Sequence, residues 1–286
     1  LNSHLDQVAD YYDRMTESYL RYSGQTLGWH FGLWGDPQCT LEDALINSNR
    51  ILTKDCDLRP NQLVLDAGCG VGGLAFYLVQ TFGVYVIGIT ICQRHVDMAT
   101  QLAKERSLNH KVEFRLLDFM NLDFEDESFD FVFNQESFCY ALNKKNYLKG
   151  VYRVLRPGGR WQAVDGFKSY KRLTEEQEAL HRTAQHGWKI PPLPSVQAIR
   201  SALSRIGFED IRVRNLSEMA YPSAFIAIRD SVLNKEKSNT AISSLSPEMT
   251  RLLVEHDSAG AAISYGLFQG AFTYQLIGGA KKKEDG

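Results

Sequence analysis

Asp66 is followed by four glycines in the stretch Leu63-Val-Leu-Asp-Ala-Gly-Cys-Gly-Val-Gly-Gly73, at positions 68, 70, 72 and 73. The first half of this stretch is an apolar run that reads as a buried parallel strand, and Leu74 to Thr81 reads as a helix. A strand that feeds a glycine-rich turn at a helix N-terminus builds a nucleotide-type binding site, because free amides and the positive end of the helix meet there. Glycine admits positive φ and lets a ligand approach without meeting a Cβ. The spacing differs from the dinucleotide fingerprint, whose glycines occupy the first, third and sixth positions. Asp66 reads either as a carboxylate facing a ligand or as the cap of its own turn. Two more acids stand at strand ends: Asp118 after Val112–Leu117, and Glu136 in Asn134-Gln-Glu-Ser-Phe-Cys-Tyr140. In an open α/β sheet the ligand lies beyond the carboxyl ends of the strands, which is where these acids belong.

The elements that would position them alternate along the chain. Residues 1–22 read as an amphipathic helix rich in tyrosine, broken at Ser23-Gly24. Leu27 to Gly35 packs three aromatics and His30 between glycines, either as a core plug or as the wall of an apolar pocket. Thr40 caps a helix running to Asp55, with Glu42 and Asp43 in its first turn. Further strands are expected at Val84–Thr90, Val112–Leu117, Asp126–Phe133 and Arg160–Phe167, with helices at Gln93–Arg106 and before the stop signal Leu155-Arg-Pro-Gly-Gly159. Beyond Phe167 the alternation changes. Lys171–Gly187 and Ser195–Gly207 read as helices, Asp210–Leu216 and Ala271–Ile277 as strands, and 222–258 as a helical insertion with a loop at Asn234–Ser244. The charged tail from Lys281 is expected to fray.

Composition sets the outer limits. With 286 residues, 44% hydrophobic and 23% charged, the chain can bury a sizeable core as one large domain or two small ones. A net charge of −2 gives no electrostatic pull toward nucleic acid or an anionic membrane. The five cysteines, at 39, 56, 69, 92 and 139, are scattered without a Cys-x-x-Cys pair, which argues against a disulfide framework and structural zinc. No apolar run approaches the roughly 20 residues of a membrane span, and no leader pattern opens the sequence. A cytoplasmic protein without integral membrane contact is the expectation, with homo-oligomer formation left open.

The Asp-x-Gly-x-Gly-x-Gly pattern resembles the first motif of the S-adenosylmethionine (SAM) dependent methyltransferases of Rossmann-like fold. SAM carries an ammonium group and a sulfonium cation but no pyrophosphate, so a carboxylate at the strand end suits it better than a phosphate site does. The resemblance implies cofactor contacts at Asp66, Gly68, Gly70 and Gly72, with Asp118 on the adenine amino group, Phe119 beside it and Asn134 nearby. Tyr-Tyr-Asp at 11–13 resembles the N-terminal signature in which a tyrosine, here Tyr11, crosses the cofactor's mouth. Gly88-Ile-Thr-Ile-Cys-Gln-Arg94 resembles a variant in which Thr90 and Gln93 replace the usual acid on the ribose. The segment around Glu136 is similar to that of sterol, tocopherol and geranyl diphosphate C-methyltransferases. That similarity implies Glu136 and Tyr140 as catalytic residues, and Trp29-His-Phe-Gly-Leu33 resembles a second segment of the geranyl diphosphate group, which adds His30. Trp29, Phe31, Phe138, Trp188 and Tyr221 are aromatics available to surround a substrate, or equally to fill the core. Phe167 and Phe268 are further aromatics of this kind.

The implied fold is α/β: a doubly wound, mostly parallel seven-stranded sheet whose last strand is antiparallel, with N-terminal helices and a helical insertion as lid. Residues 1–58 would form the lid and 59–286 the methyltransferase domain. The implied activity is SAM-dependent methylation of a lipophilic small molecule, foremost C-methylation of an isoprenoid, prenyl diphosphate or terpenoid alkene. Methylation leaves a carbocation that a carboxylate relieves by taking a proton, while aromatic faces stabilise it. No metal is expected, and Mg2+ enters only with a diphosphate substrate. An O- or N-methyltransferase using His181 or His186 as base, and a SAM-binding protein without transferase activity, are the alternatives. Asp66, Asp118 and Glu136 argue against the latter. DNA methylation is disfavoured because Asn134-Gln-Glu-Ser stands where an Asn/Asp-Pro-Pro motif would.

Overall fold

Short apolar runs separated by amphipathic segments produce a sheet that is covered on both faces. The computed structural model describes residues 3–36, 38–241 and 246–283, with backbone alone for 230–241. Its strands are β1 (Leu63–Ala67), β2 (Tyr85–Thr90), β3 (Val112–Leu116), β4 (Phe129–Gln135), β5 (Leu155–Lys168), β6 (Phe208–Asn215) and β7 (Phe272–Lys281). They form one sheet in the order β3-β2-β1-β4-β5-β7-β6. The contacts β1/β2, β2/β3, β1/β4 and β4/β5 are parallel, and β7 is antiparallel to both of its neighbours. The chain winds outward from β1 to β3 and then returns to β4. The switch point therefore lies between β1 and β4, where ligands of such sheets bind.

Helices α1 (His4–Ser23), α2 (Leu41–Thr53), α3 (Gly73–Phe82), α4 (Gln93–Glu105), α5 (Lys144–Val154), α6 (Glu175–Trp188), α7 (Val196–Ile206), α8 (Ser217–Ala241) and α9 (Pro247–Phe268) surround it. Side-chain alternation splits β1 between two apolar layers. Val64 joins Phe76, Leu78 and Leu33 on one face, and Leu65 joins Leu148, Val151 and Leu203 on the other. Helix starts follow local chemistry. Thr40 Oγ1 accepts from the Asp43 N–H at 3.1 Å while Asp43 accepts from the Thr40 N–H at 2.9 Å, and Ser3–Asp6 and Thr174–Gln177 repeat this box. No helix among the described residues is long and apolar enough to cross a membrane.

Several expected boundaries move. Strand β4 starts at Phe129 rather than Asp126, because Glu127 takes positive φ in the preceding turn. Pro157-Gly158-Gly159 does not separate helix from strand. It is a bulge within β5, where the pairing jumps from Phe129–Leu155 to Phe131–Arg160. Helix α6 begins at Glu175, after its Thr174 cap, rather than at Lys171. The insertion is a helical pair over 217–268. Its first helix begins five residues ahead of Pro222, where Ser217 is tied to Asn215 Oδ1 through both its N–H and its hydroxyl. Of the loop expected at 234–244, the stretch to Ala241 is helical and 242–245 fall outside the described residues. The expected tail begins within β7, which continues to Lys281, and 284–286 lie outside the description.

One side chain ties the switch point together. Asn134, fully buried, donates to Ala67 O (2.8 Å) and Ser137 Oγ (2.9 Å), and accepts from the Tyr147 hydroxyl (2.7 Å) and Trp161 Nε1 (2.9 Å). That uses both donors and both lone-pair directions of the amide. Asn134→Ala leaves the Tyr147 and Trp161 donors unpaired in the core. It is expected to lower unfolding stability by about 2–5 kcal/mol in urea titration. A loss below about 1 kcal/mol would mean that water replaces the amide.

Candidate active site

Strand β1 delivers Asp66 to the sheet edge, and the glycine turn follows it. Gly68 has φ 92°, and a Cβ there would collide with Ser137 on the turn after β4. The two turns at the switch point therefore approach more closely than any side chain allows. The Gly68 and Cys69 amides donate to Ile89 O at 2.9 and 3.0 Å, which fixes the turn against β2. A Cβ on Gly73 would lie 2.6 Å from Leu27 O, so the segment after α1 rests directly on the first turn of α3.

A cavity of about 990 Å³, measured to its open mouth, lies beyond the ends of β1, β2 and β4. Asp66, Asp118 and Glu136 all line it, together with Gly68, Gly70, Thr90, Phe119, Trp29, His30 and Tyr140. Asp66 is 2% exposed, and burial raises its carboxyl to about 7, with the Ala75 amide pulling the other way. Its Oδ2 has no hydrogen-bond partner within the protein, nor do Trp29 Nε1 and His4 Nε2, which belong to residues on the same wall. Asp118 Oδ1 accepts from the Met120 amide at 2.8 Å, so this acid shapes its own turn as well as facing the cavity.

The roof is aromatic. Trp29 stacks on Tyr19 at 5.0 Å and lies near-parallel to Tyr12 at 6.4 Å, while His95 meets its face edge-on at 4.8 Å. The Tyr12 hydroxyl donates to the Tyr140 hydroxyl, and that donates to Trp188 O, each at 3.0 Å. Tyr11 and His256 Nδ1 share a 2.6 Å hydrogen bond that fastens α1 to α9. Burial lowers His30, His95 and His256 to about 4, so all three imidazoles are neutral at pH 7. His30 Nδ1 lies 3.0 Å from Phe31 O, a pure acceptor, so the neutral ring carries its proton on Nδ1.

Glu136 occupies a left-handed backbone position, φ 47°, with its N–H on Val164 O at 2.9 Å. Its Oε1 accepts from the Phe31 N–H at 2.6 Å and from the Tyr274 hydroxyl at 2.5 Å. Burial raises the carboxyl to about 7; those two hydrogen bonds oppose the rise and the neighbouring Asp165 adds to it. Asp165 is itself pushed up to about 6 by burial. Among the described residues no group of three or more His, Cys, Asp or Glu side chains is placed to hold a metal ion.

Other expected site residues stand elsewhere. Tyr11 faces away from the cavity, 1% exposed, and Tyr12 takes the lining position. Gly72 lies beneath the turn, where a Cβ would meet Phe114 at 2.7 Å. Gln93 Nε2 donates to Asp97 at 2.7 Å on the surface of α4, and of the expected pair Thr90 and Gln93 only Thr90 lines the cavity. Asn134 is consumed by the network described above. Phe138 packs in the core against Trp161 and Tyr147, and Phe167 is buried beside it. Phe31 reaches Glu136 through its amide, Trp188 meets Tyr140 through its carbonyl, and Tyr221 pairs with Phe268 on α8 and α9 at 4.9 Å. His181 is held by Ala271 O, and His186 sits on the surface near Glu255; neither lines the cavity. His4, Tyr12 and His95 were missed, as was Tyr274. The spacing His4–Val8–Tyr12 marks one face of α1 and distinguishes Tyr12 from Tyr11.

The pattern that defines the mycolic acid cyclopropane synthetase family matches residues 1–252. A sterol 24-C-methyltransferase of Kluyveromyces lactis is 28% identical over 220 residues, covering 76% of this chain and 58% of that protein. The chain thus spans a little over half the length of such sterol relatives. The 27-O-demethylrifamycin SV methyltransferase of Amycolatopsis mediterranei is 28% identical over 218 residues, 76% of this chain and 79% of that one. Among solved structures, geranyl diphosphate C-methyltransferase from Streptomyces coelicolor, in complex with Mg2+, geranyl-S-thiolodiphosphate and S-adenosyl-L-homocysteine, aligns with a TM-score of 0.75. The alignment covers 98% of each chain at 18% identity, which establishes the shared fold. The chain therefore belongs to the mycolic acid cyclopropane synthetase family, among the class I, Rossmann-like SAM-dependent methyltransferases.

Proposed function

We propose that the protein methylates a carbon of a lipophilic alkene, of isoprenoid or terpenoid type, with SAM as methyl donor. The residues present fit that cofactor. Asp66 offers a buried carboxylate oxygen without a protein partner, suited to an ammonium group, and Asp118, on the same cavity wall, is a carboxylate suited to accept from the adenine amino group. SAM supplies an electrophilic methyl group on a sulfonium cation, which is displaced in line by the acceptor's electron pair. Glu136 is the observation that carries the choice of carbon. It is a carboxylate held on the cavity wall with its carboxyl raised to about 7, so it is a base matched to neutral pH. After methylation of an alkene, the C–H bond beside the cationic carbon breaks and its pair closes the new double bond. Glu136 takes the proton.

The aromatic roof suits the transient cation, because the faces of Trp29, Tyr12 and Tyr140 stabilise positive charge without reacting with it. Among the described residues the cavity lining contains no Lys or Arg to meet a diphosphate, which favours an uncharged acceptor over a prenyl diphosphate. The segment 1–58 and the α8–α9 pair act as a lid in this reading. Opening α1 admits both substrates, and its closure excludes water that would otherwise trap the cation.

The decisive assay incubates the protein with isotope-labelled SAM and neutral terpenoids, prenyl diphosphates, phenols or amines, and locates the label by mass spectrometry. Label on carbon of a neutral alkene is expected; label confined to oxygen or nitrogen would overturn the reading. Asp118→Ala should weaken SAM binding by about 1–3 kcal/mol in titration calorimetry, and an unchanged Kd would reduce this residue to its turn. Glu136→Gln should retain SAM binding while turnover falls about 10²–10⁴-fold. In the wild type, proton acceptance requires the ionised form, so kcat should rise with pH along an acid limb at or below about 7 that the variant lacks. Wild-type turnover in the variant would remove Glu136 from the reaction.

A further inference from the structure

Glu136 is held by one oxygen only. The Phe31 amide and the Tyr274 phenol both donate to Oε1, at 2.6 and 2.5 Å, and neither reaches Oε2. Tyr274 is 3% exposed in β7, and its own backbone is pinned on both sides. Its N–H donates to Ser217 Oγ at 3.0 Å, and its carbonyl accepts from the Leu216 N–H at 2.8 Å. Its ring packs on Phe31 at 5.8 Å, so the two donors brace each other. Burial and the charge of Glu136 hold the phenol well above its ordinary range, so it stays protonated and acts only as donor.

We infer that Tyr274 is a positioning residue for Glu136: it occupies Oε1, fixes the plane of the carboxylate, and leaves Oε2 as the oxygen that meets the acceptor's proton. The inference rests on the assignment of Glu136 as base in the proposed function. Two consequences follow from the chemistry of the pair. A donor fixed on a carboxylate favours the ionised form, so Tyr274 offsets part of the rise that burial imposes on Glu136. A carboxylate fixed by one edge also presents a single basic oxygen in one direction, which would restrict the hydrogen removed and hence the double bond formed. A phenol that merely filled space in β7 would do neither.

The test titrates Glu136 in the ligand-free protein by difference infrared spectroscopy, with Glu136→Gln as the blank, and repeats the titration in Tyr274→Phe. The Glu136 midpoint should rise by about one to two pH units, the worth of one hydrogen bond to a charged group. The acid limb of kcat should move up with it, SAM affinity should stay unchanged, and isomeric alkenes should join the product. Site-specific replacement of Tyr274 by 3-fluorotyrosine, a stronger donor of nearly the same shape, should move the midpoint down; this guards against Tyr274→Phe failing to fold. A midpoint that ignores both changes overturns the inference and leaves the role of Glu136 intact. A midpoint that moves while the rate profile stays fixed overturns the base assignment and, with it, any part for Tyr274 in turnover.

Discussion

Desolvation of carboxylates is the constraint on which this site depends. Asp66, Glu136 and Asp165 stand at or near the carboxyl ends of β1, β4 and β5, and burial lifts them to about 7, 7 and 6. Water would return Asp66 and Glu136 to the ordinary carboxylate range, so the roof over the cavity also sets their basicity. The sheet supplies the positions, since the crossover from β3 back to β4 opens the crevice that Asp66 and Glu136 line. The close approach of Gly68 and Ser137 holds the two sides of that crevice at a fixed spacing, and Asn134 binds the strands beneath it.

The protein lowers the cost of these acids unequally. Asp165 receives the Cys139 and Gly166 amides on its two oxygens, at 2.9 and 2.7 Å, and is thereby satisfied inside the fold. Glu136 receives two donors on one oxygen, and Asp66 keeps one oxygen bare. The gradient from satisfied to unsatisfied runs toward the cavity, as a ligand site requires: unmet polar groups stand where a ligand can meet them. The roof follows the same logic. Its hydroxyls are occupied among themselves and with backbone carbonyls, so it presents ring faces rather than nucleophiles.

The positions of Asp66, Gly68, Gly70, Thr90 and Asp118 on the cavity wall were legible because their determinants are local. Asp66 and its glycines lie within eight residues, Thr90 ends an apolar run, and Asp118 follows the alternating strand Val112–Leu116. Gln93 does not line the cavity; its Nε2 donates to Asp97 one turn further along α4. The aromatic pocket was half legible. Composition marks Trp29, Phe31, Phe138 and Trp188 alike, yet only Trp29 lines the cavity, since facing depends on how segments far apart in the chain are packed. Tyr274 was beyond reach, lying 138 residues from Glu136 on a strand that reads as ordinary core. The helical pair was recognised as helical, but its start was misjudged because Pro222, a natural first-turn residue, sits in the interior of α8.

A crystal structure of the protein with S-adenosylhomocysteine tests the central claim most directly. The account predicts the adenine amino group at Asp118, the ammonium group at Asp66 directly or through one water, and the sulfur turned toward the wall that carries Glu136. A ligand bound elsewhere, or one whose sulfur faces away from Glu136 with the lid closed, would contradict it.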